Sequence, residues 1–268
     1  LYSDRIVLTC GHCIFSGNSG LFLTDAQIDL PNATYRFDSP KIRIVKSFLA
    51  PDWAPRDINN FSPRGDFGIF ILEKPISISG KTRIATREEV KTHSELRSLV
   101  TNIAYGRQSS NHGPDGETKP KMAEYPLVPE SEINEFVQRA QENDGRKYAY
   151  HMTINVIQKP GGPSTCGGDS GSPFYIKNGD EFIYFGPLAN GIGGMPNCSG
   201  NPWTSEKMYI GSVSAFEYLD LIKQAEEYVK ANPYVFTTSQ KTIKCLKGKK
   251  TKNITGTNPK CPTGYKQK

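Results

Sequence analysis

A serine set among glycines, Ser170, has the surroundings that best suit nucleophilic chemistry. It lies in the segment Cys166-Gly-Gly-Asp-Ser-Gly-Ser-Pro173. A serine hydroxyl is a poor nucleophile at neutral pH, so it needs a neighbouring base and donors for the oxyanion it creates. Glycine adopts positive φ without steric cost, which lets backbone N–H groups converge on one point. We therefore predict that the amides of Gly168 and Ser170 form an oxyanion hole.

The same four residues, Gly-Asp-Ser-Gly, are also ordinary turn chemistry. The cysteine four residues before the serine and the Ser-Pro after Gly171 favour the functional interpretation over a plain surface turn.

The candidate base is His12, which follows an apolar run in the segment Val7-Leu-Thr-Cys-Gly-His-Cys13. The other histidines lack comparable small and apolar neighbours; they are His93, His112 and His151.

A histidine that acts as a base needs a carboxylate to orient it. Asp66 follows Gly65 and precedes the run Phe67–Leu72, which favours it. Asp52 and Asp57 are the alternatives, and Asp66 would then be a surface carboxylate.

These three segments together resemble the trypsin/chymotrypsin family of serine proteases. The family carries Thr-Ala-Ala-His-Cys or Thr-Ala-Gly-His-Cys, and Gly-Asp-Ser-Gly-Gly-Pro; here Cys10 stands for the usual Ala and Ser172 for the usual Gly. The order His12, Asp66, Ser170 is that of chymotrypsin. The resemblance implies hydrolysis of peptide bonds in proteins or peptides through an acyl-enzyme, without a cofactor.

The resemblance also implies an all-β fold of two six-stranded antiparallel β-barrels followed by a C-terminal helix. The protease domain is expected over residues 1–231, with barrel 1 over about 1–80, a linker over about 81–98, and barrel 2 with the helix over about 99–231. In the family, strands precede the histidine. Since His12 lies so near the first residue, we expect a sequence truncated at its N-terminus, with an incomplete first barrel.

Local patterns predict several elements. Thr86 suits the N-cap of a short helix, and Ser214 suits the N-cap of the C-terminal helix. Apolar periodicity predicts a helix over 129–143, which the family does not explain. Asn178-Gly179 predicts a hairpin turn between two apolar strands.

The resemblance implies a disulfide between Cys166 and Cys198 that braces the specificity pocket. It places the partner of Cys13 on a preceding strand, so we expect Cys13 to be unpaired in this chain. Cys10-x-x-Cys13 would also suit a zinc half-site or a redox pair. No second Cys/His pair accompanies it, so we predict no metal site.

Two further assignments rest on the resemblance. Asp169 matches the aspartate that binds the new N-terminal amine after zymogen activation. Ser164 aligns with the pocket floor, and no Asp lies between Lys159 and Thr165, which argues against trypsin-like preference for Arg or Lys. A neutral floor fits apolar or aromatic side chains. The segment from Asn190 to Cys198 lacks the family's Ser-Trp-Gly.

The basic charge belongs to the tail, residues 232–268, where Cys245 and Cys261 are expected to pair. The whole chain has 33 Lys and Arg against 27 Asp and Glu, and nine of the lysines lie in the tail with no acidic residue beside them. No base-stacking motif accompanies them, so nucleic-acid binding is not expected. Paired cysteines indicate a secreted or extracytoplasmic protein, and no apolar run is long enough to span a membrane.

The differences from the family pattern suggest two non-enzymatic alternatives. A protease homologue that only binds its partner is suggested by the altered pocket segment and the tail. The lysines of the tail would also suit docking to an anionic cell surface or wall polymer, or the tail would be disordered.

Overall fold

The protein is described here from a computed structural model with side chains. The described residues are 1–16, 21–22, 27–29, 41–55, 63–78, 80–106, 120–145, 149–158, 162–163, 165–192, 208–234, 241–248, 250–256 and 259–268.

The described part is mostly β, with three α-helices. The strands are β1 Ile6–Thr9, β2 Phe15–Ser16, β3 Leu21–Phe22, β4 Gln27–Asp29, β5 Lys41–Leu49, β6 Gly68–Leu72, β7 Lys81–Ile84, β8 Leu99–Ala104, β9 Lys121–Pro126, β10 Ile154–Gln158, β11 Pro173–Asn178, β12 Glu181–Pro187, β13 Asn190–Ile192, β14 Met208–Ser212, β15 Lys241–Lys247, β16 Lys250–Gly256 and β17 Lys266–Gln267. The helices are α1 Arg87–Glu95, α2 Glu130–Asp144 and α3 Leu219–Ala231, with short 3-10 turns at Gly11–Cys13 and Ala215–Tyr218.

The first sheet brings the N-terminal segment against the apolar strand that follows Asp66. Its strand order is β1-β6-β5-β4, and all neighbours are antiparallel. Thr9 at the end of β1 pairs with Gly68 at the start of β6. Every residue of β6 is buried, so this strand is apolar along its whole length rather than alternating.

Two further sheets carry the second half of residues 1–232. One has the order β7-β12-β11-β8-β9 and the other β10-β14-β13. The predicted hairpin at Asn178-Gly179 is confirmed as the turn between β11 and β12. Residues 81–84, expected in a linker, instead form β7, which pairs in parallel with β12.

The sheets of the described residues are open, and no closed barrel is found among them. The described residues are mostly β, which agrees with the expected fold class, and they also contain the predicted helices. The two six-stranded barrels stay a prediction.

The predicted helices are confirmed with small shifts. α2 covers Glu130–Asp144, one residue later than its pattern suggested. The segment after Ser214 begins as a 3-10 turn and becomes α-helical at Leu219. The predicted N-cap at Ser214 is wrong, because the Ser214 hydroxyl makes no capping bond and lies 2.8 Å from Thr153 Oγ1 instead. Thr86 caps α1: its hydroxyl accepts from the Glu89 amide at 3.2 Å, and the Glu89 carboxylate accepts from the Thr86 amide at 2.8 Å.

A continuous core joins the first sheet to the C-terminal helix. Phe67 is fully buried and stacks on Tyr218, with ring centroids 4.9 Å apart and an interplanar angle of 7°. Leu221 and Ile222 of α3 belong to the same buried cluster as Ile69. The residue after Asp66 is thereby anchored from the other end of the domain.

The chain divides into two compact units, Leu1–Asn232 and Pro233–Lys268. Within the second unit, β15 pairs with β16 and β17 in an antiparallel sheet, and Cys245 forms a disulfide with Cys261. The described residues of the tail are therefore folded rather than a disordered extension.

Loss of the Thr86 cap should destabilise the domain. Thr86→Ala removes the acceptor for one otherwise unpaired helix amide, so we expect the free energy of unfolding in urea to fall by about 0.5–2 kcal/mol. Thr92→Ala is the matched control, because Thr92 lies on the exposed side of the same helix, where alanine has the better helix propensity. Equal losses in both variants would contradict the capping argument.

Candidate active site

The end of β1 and the start of β6 place His12 beside Asp66. The chain turns after Thr9 into the 3-10 segment Gly11–Cys13, while Gly65 takes a φ of 58° immediately before the aspartate. Since Thr9 and Gly68 are partners across the sheet, the two turns lie at the same edge.

Two hydrogen bonds join the pair. The His12 amide donates to Asp66 Oδ1 at 2.8 Å, and His12 Nδ1 lies 2.8 Å from Asp66 Oδ2. The Asp66 side chain has no exposed surface, whereas 37% of the His12 side chain is exposed. With the Nδ1 proton donated to the carboxylate, Nε2 carries the lone pair that can accept a proton.

The alternative partners of the histidine do not share this geometry. Asp52 lies against Gly65, where an added Cβ would come within 2.5 Å of its Oδ1. Burial, with the negative charges of Asp52 and Glu217 nearby, raises the pKa of Tyr218. Asp57 lies outside the described residues.

The turn around Ser170 is shaped by two glycines with positive φ. Gly168 has a φ of 95° and Gly171 a φ of 84°. The turn is closed by the Asp169 amide on Cys166 O at 3.1 Å and the Ser172 amide on Asp169 O at 3.1 Å. Within the described part of the chain, the amides of Gly168 and Ser170 donate no hydrogen bond.

The serine turn packs directly on the histidine segment. A Cβ on Gly171 would come within 2.5 Å of Thr9 Oγ1 and 3.4 Å of Cys13 Sγ. The Gly171 amide is held by Leu188 O at 2.8 Å on the other side. The neighbours of Ser170 and His12 are therefore in contact, and the Ser170 side chain is half-buried beside them.

A family model for trypsin matches residues 1–201, three quarters of the chain. The chain belongs to the trypsin family. No curated protein matches it closely enough to count as a relative.

Membership of the trypsin family supports a serine peptidase with the chymotrypsin fold, acting on peptide substrates. Domains of this family are typically extracellular, and the chain contains disulfides. No helix in the described ranges is both long and apolar enough to cross a bilayer.

The cysteines next to the histidine depart from the family expectation. Cys13 was expected to be unpaired, but it forms a disulfide with Cys10. The 3-10 turn explains this, because the Cys13 amide donates to Cys10 O and the two Cα atoms are 5.3 Å apart, within disulfide range.

The specificity region is only partly described. Cys166 is disulfide-bonded, while Cys198 and Ser164 lie outside the described residues. Of the altered pocket segment, Asn190–Ile192 form β13 and pair with β14. The pocket assignments stay predictions.

Asp169 is held by backbone amides in this trypsin-family chain. Its Oδ1 accepts from the Gly106 amide and its Oδ2 from the Cys166 amide, both at 2.7 Å. Gly106 has no room for a side chain, because a Cβ there would collide with the carboxylate. The assignment of Asp169 to a new N-terminal amine stays a prediction.

Two supporting residues were not identified from the sequence. Gly106 holds Asp169, and Asn102 on β8 donates from Nδ2 to Ser172 Oγ and to Pro173 O, both at 2.9 Å. Asn102 is 3% exposed, so it ties the end of the serine turn to the neighbouring strand. Both contacts join residues more than 60 positions apart, so no local sequence pattern could predict them.

The pH dependence of stability should report the buried Asp169. Burial raises the pKa of Asp169, and the amides of Cys166 and Gly106 only partly oppose this. When the pKa of an acid is higher in the folded than in the unfolded state, the folded state binds the proton more tightly. Its free energy of unfolding therefore rises as pH falls through the folded-state pKa, and stops rising below the unfolded-state pKa of about 3.9.

In Asp169→Asn the side chain does not titrate, and its NH₂ faces one backbone amide at every pH. The unfolding free energy of the wild type minus that of the variant should therefore increase between about pH 7 and about pH 4. Urea titrations at a series of pH values measure this difference. A difference independent of pH would contradict the assignment.

Proposed function

We propose that this trypsin-family chain is a secreted serine endopeptidase that uses His12, Asp66 and Ser170 as a catalytic triad. The observation that carries the proposal is the double hydrogen bond between His12 and the buried Asp66, which leaves Nε2 on the side of the ring away from the carboxylate. The contact of Gly171 with Thr9 and Cys13, which brings the serine turn to the same place, supports it.

The roles follow from the chemistry of each group. Ser170 Oγ attacks the substrate carbonyl while His12 Nε2 takes its proton and later passes it to the leaving amine. Asp66 keeps the Nδ1 tautomer and stabilises the imidazolium. Water then releases the acyl group by the reverse sequence of proton transfers. No cofactor enters these steps.

The amides of Gly168 and Ser170 are the proposed donors to the oxyanion. Both belong to a turn whose conformation is held before substrate arrives, so little reorganisation accompanies the development of charge. The positive φ of Gly168 supports this role, since a side chain there would be strained.

Substrate preference and location belong to the same proposal. With Ser164 aligned with the pocket floor and no Asp between Lys159 and Thr165 in the sequence, apolar or aromatic side chains are the proposed preference. The disulfides support an oxidising compartment outside the cytoplasm. The second candidate is a binding homologue, and the basic folded tail is the observation that favours it.

Covalent labelling distinguishes the two candidates. A fluorophosphonate probe reacts with activated serines, so we expect label on Ser170 of the processed full-length protein and none in Ser170→Ala. Ser172→Ala is the matched control, because its hydroxyl accepts from Asn102 instead of facing a base, and it should keep the label. Absence of label on folded, mature protein would favour the binding homologue.

The carboxylate should act through the tautomer of the histidine. In Asp66→Asn the amide NH₂ faces Nδ1 and forces the proton to Nε2, which can then no longer accept the serine proton. We expect kcat to fall about 10⁴-fold with little change in KM, as for this substitution in other His-Asp-Ser enzymes. Asp52→Asn, the alternative partner, should have a far smaller effect in the same peptide assay. Comparable losses would contradict the assignment of Asp66.

A further inference from the structure

Three potential metal ligands, one of them the proposed base itself, lie close together at His12. The Sγ atoms of Cys10 and Cys13 and a ring nitrogen of His12 lie within 4.8 Å of one another. Two thiolates and an imidazole are a ligand set that zinc prefers. The sequence analysis set a zinc half-site aside because no second Cys/His pair was found. The third ligand is the histidine inside the motif itself.

The spacing of the sulfur and the nitrogen already suits a tetrahedral ion. Cys10 Sγ lies 3.6 Å from His12 Nε2. With a Zn–S bond of about 2.3 Å and a Zn–N bond of about 2.0 Å, tetrahedral geometry separates the two atoms by about 3.5 Å, close to the distance found. Two thiolates on one ion lie about 3.8 Å apart, so the Cys10–Cys13 disulfide must be broken before the ion can bind.

The histidine is oriented as zinc ligands usually are. Its Nδ1 is 2.8 Å from Asp66 Oδ2, and a second bond from the His12 amide fixes the same carboxylate. A carboxylate behind a ligating histidine sets the ring orientation and raises the basicity of the ligand. The exposed part of His12 and the half-buried Cys13 leave a path for the ion, although Cys10 is fully buried.

We propose that reduction of the Cys10–Cys13 disulfide creates a zinc site made of Cys10, His12 and Cys13. A dithiol supplies two electrons and two protons, the S–S bond breaks, two thiols form, and the dithiol becomes a disulfide. Zn²⁺ then binds both sulfurs as thiolates, releasing two protons to water, and takes the Nε2 lone pair as its third ligand.

The bound ion would switch off the proposed triad, a consequence that rests on the proposed function. Nε2 cannot accept the Ser170 proton while it ligates a metal. Cys13 Sγ also borders the serine turn, 3.4 Å from where a Gly171 Cβ would lie. Separation of the two sulfurs would therefore bring Cys13 closer to that turn. The enzyme would be silent in a reducing, zinc-containing compartment and active once oxidised outside it.

Metal binding is tested on Ser170→Ala, which has no nucleophile, so that the result does not depend on peptidase activity. The disulfide is first reduced with a phosphine, which becomes a phosphine oxide with oxygen taken from water. When the reduced protein is titrated with Co²⁺, it should show tetrahedral ligand-field bands and a thiolate charge-transfer band. Adding Cys10→Ala, the residue usual in the family, should abolish both bands. Adding Asp66→Asn should weaken Co²⁺ binding about 10–100-fold.

The second cysteine pair provides the matched control. Removing it with Cys245→Ala and Cys261→Ala should leave the cobalt spectrum intact, because the site lies at the histidine. Circular dichroism of each variant checks that it folds, and alkylation of the reduced Ser170→Ala protein should show Cys10 and Cys13 protected by Zn²⁺.

The regulatory half is tested on the wild type with the fluorophosphonate probe. Labelling of Ser170 should be lost when reductant and Zn²⁺ are both present and return on adding a chelator. Zn²⁺ alone, with the disulfide intact, should have much less effect.

Absence of the cobalt bands in folded, reduced Ser170→Ala would overturn the zinc site, and so would an unchanged spectrum after Cys10→Ala. Labelling that persists with reductant and Zn²⁺ would overturn the switch. If the probe never labels the wild type, the proposed function fails while the metal titration still reports the site.

Discussion

A buried carboxylate needs hydrogen bonds to both of its oxygens, and in this protein one residue supplies them. Asp66 has no exposed side-chain surface, and it accepts from the amide and from the ring of His12. Because the backbone and the side chain of the histidine are held by the same group, the imidazole cannot rotate without leaving a buried oxygen unpaired. The orientation of the ring is therefore a condition of a stable fold as well as of the proposed chemistry.

The serine turn is held by a second buried acid in the same manner. Asp169 accepts from the amides of Cys166 and Gly106, while Asn102 and Leu188 hold the residues that follow Ser170. Such bonds fix the turn before any substrate binds, and fixed donors are what an oxyanion requires. The two acids act in a similar way: Asp66 orients the proposed base, and Asp169 fixes the turn of the proposed nucleophile.

An imidazole whose Nδ1 is held by a carboxylate can bind either a proton or a metal ion at Nε2. Whether Nε2 binds a metal ion depends on the sulfurs of Cys10 and Cys13, because a disulfide offers no thiolate whereas the reduced pair offers two. The replacement of the usual family alanine by Cys10 thus changes the surroundings of the proposed base without disturbing its bond to Asp66. Redox state and catalytic state become coupled at one residue.

The residues of the proposed triad could be selected from sequence, because glycines, a histidine between small residues and an aspartate before an apolar run are local patterns. The same holds for the Thr86 cap, for α2 and for the hairpin at Asn178-Gly179, each of which depends on residues a few positions apart. The parallel pairing of β7 with β12, the contact of Gly171 with Thr9, and the bonds from Gly106 and Asn102 could not be predicted. They join segments tens of residues apart, and only the folded chain brings those segments within a few ångströms. The pairing of Cys10 with Cys13 was misjudged for a related reason: family resemblance assigned Cys13 a distant partner, whereas the 3-10 turn at Gly11–Cys13 places a near one beside it.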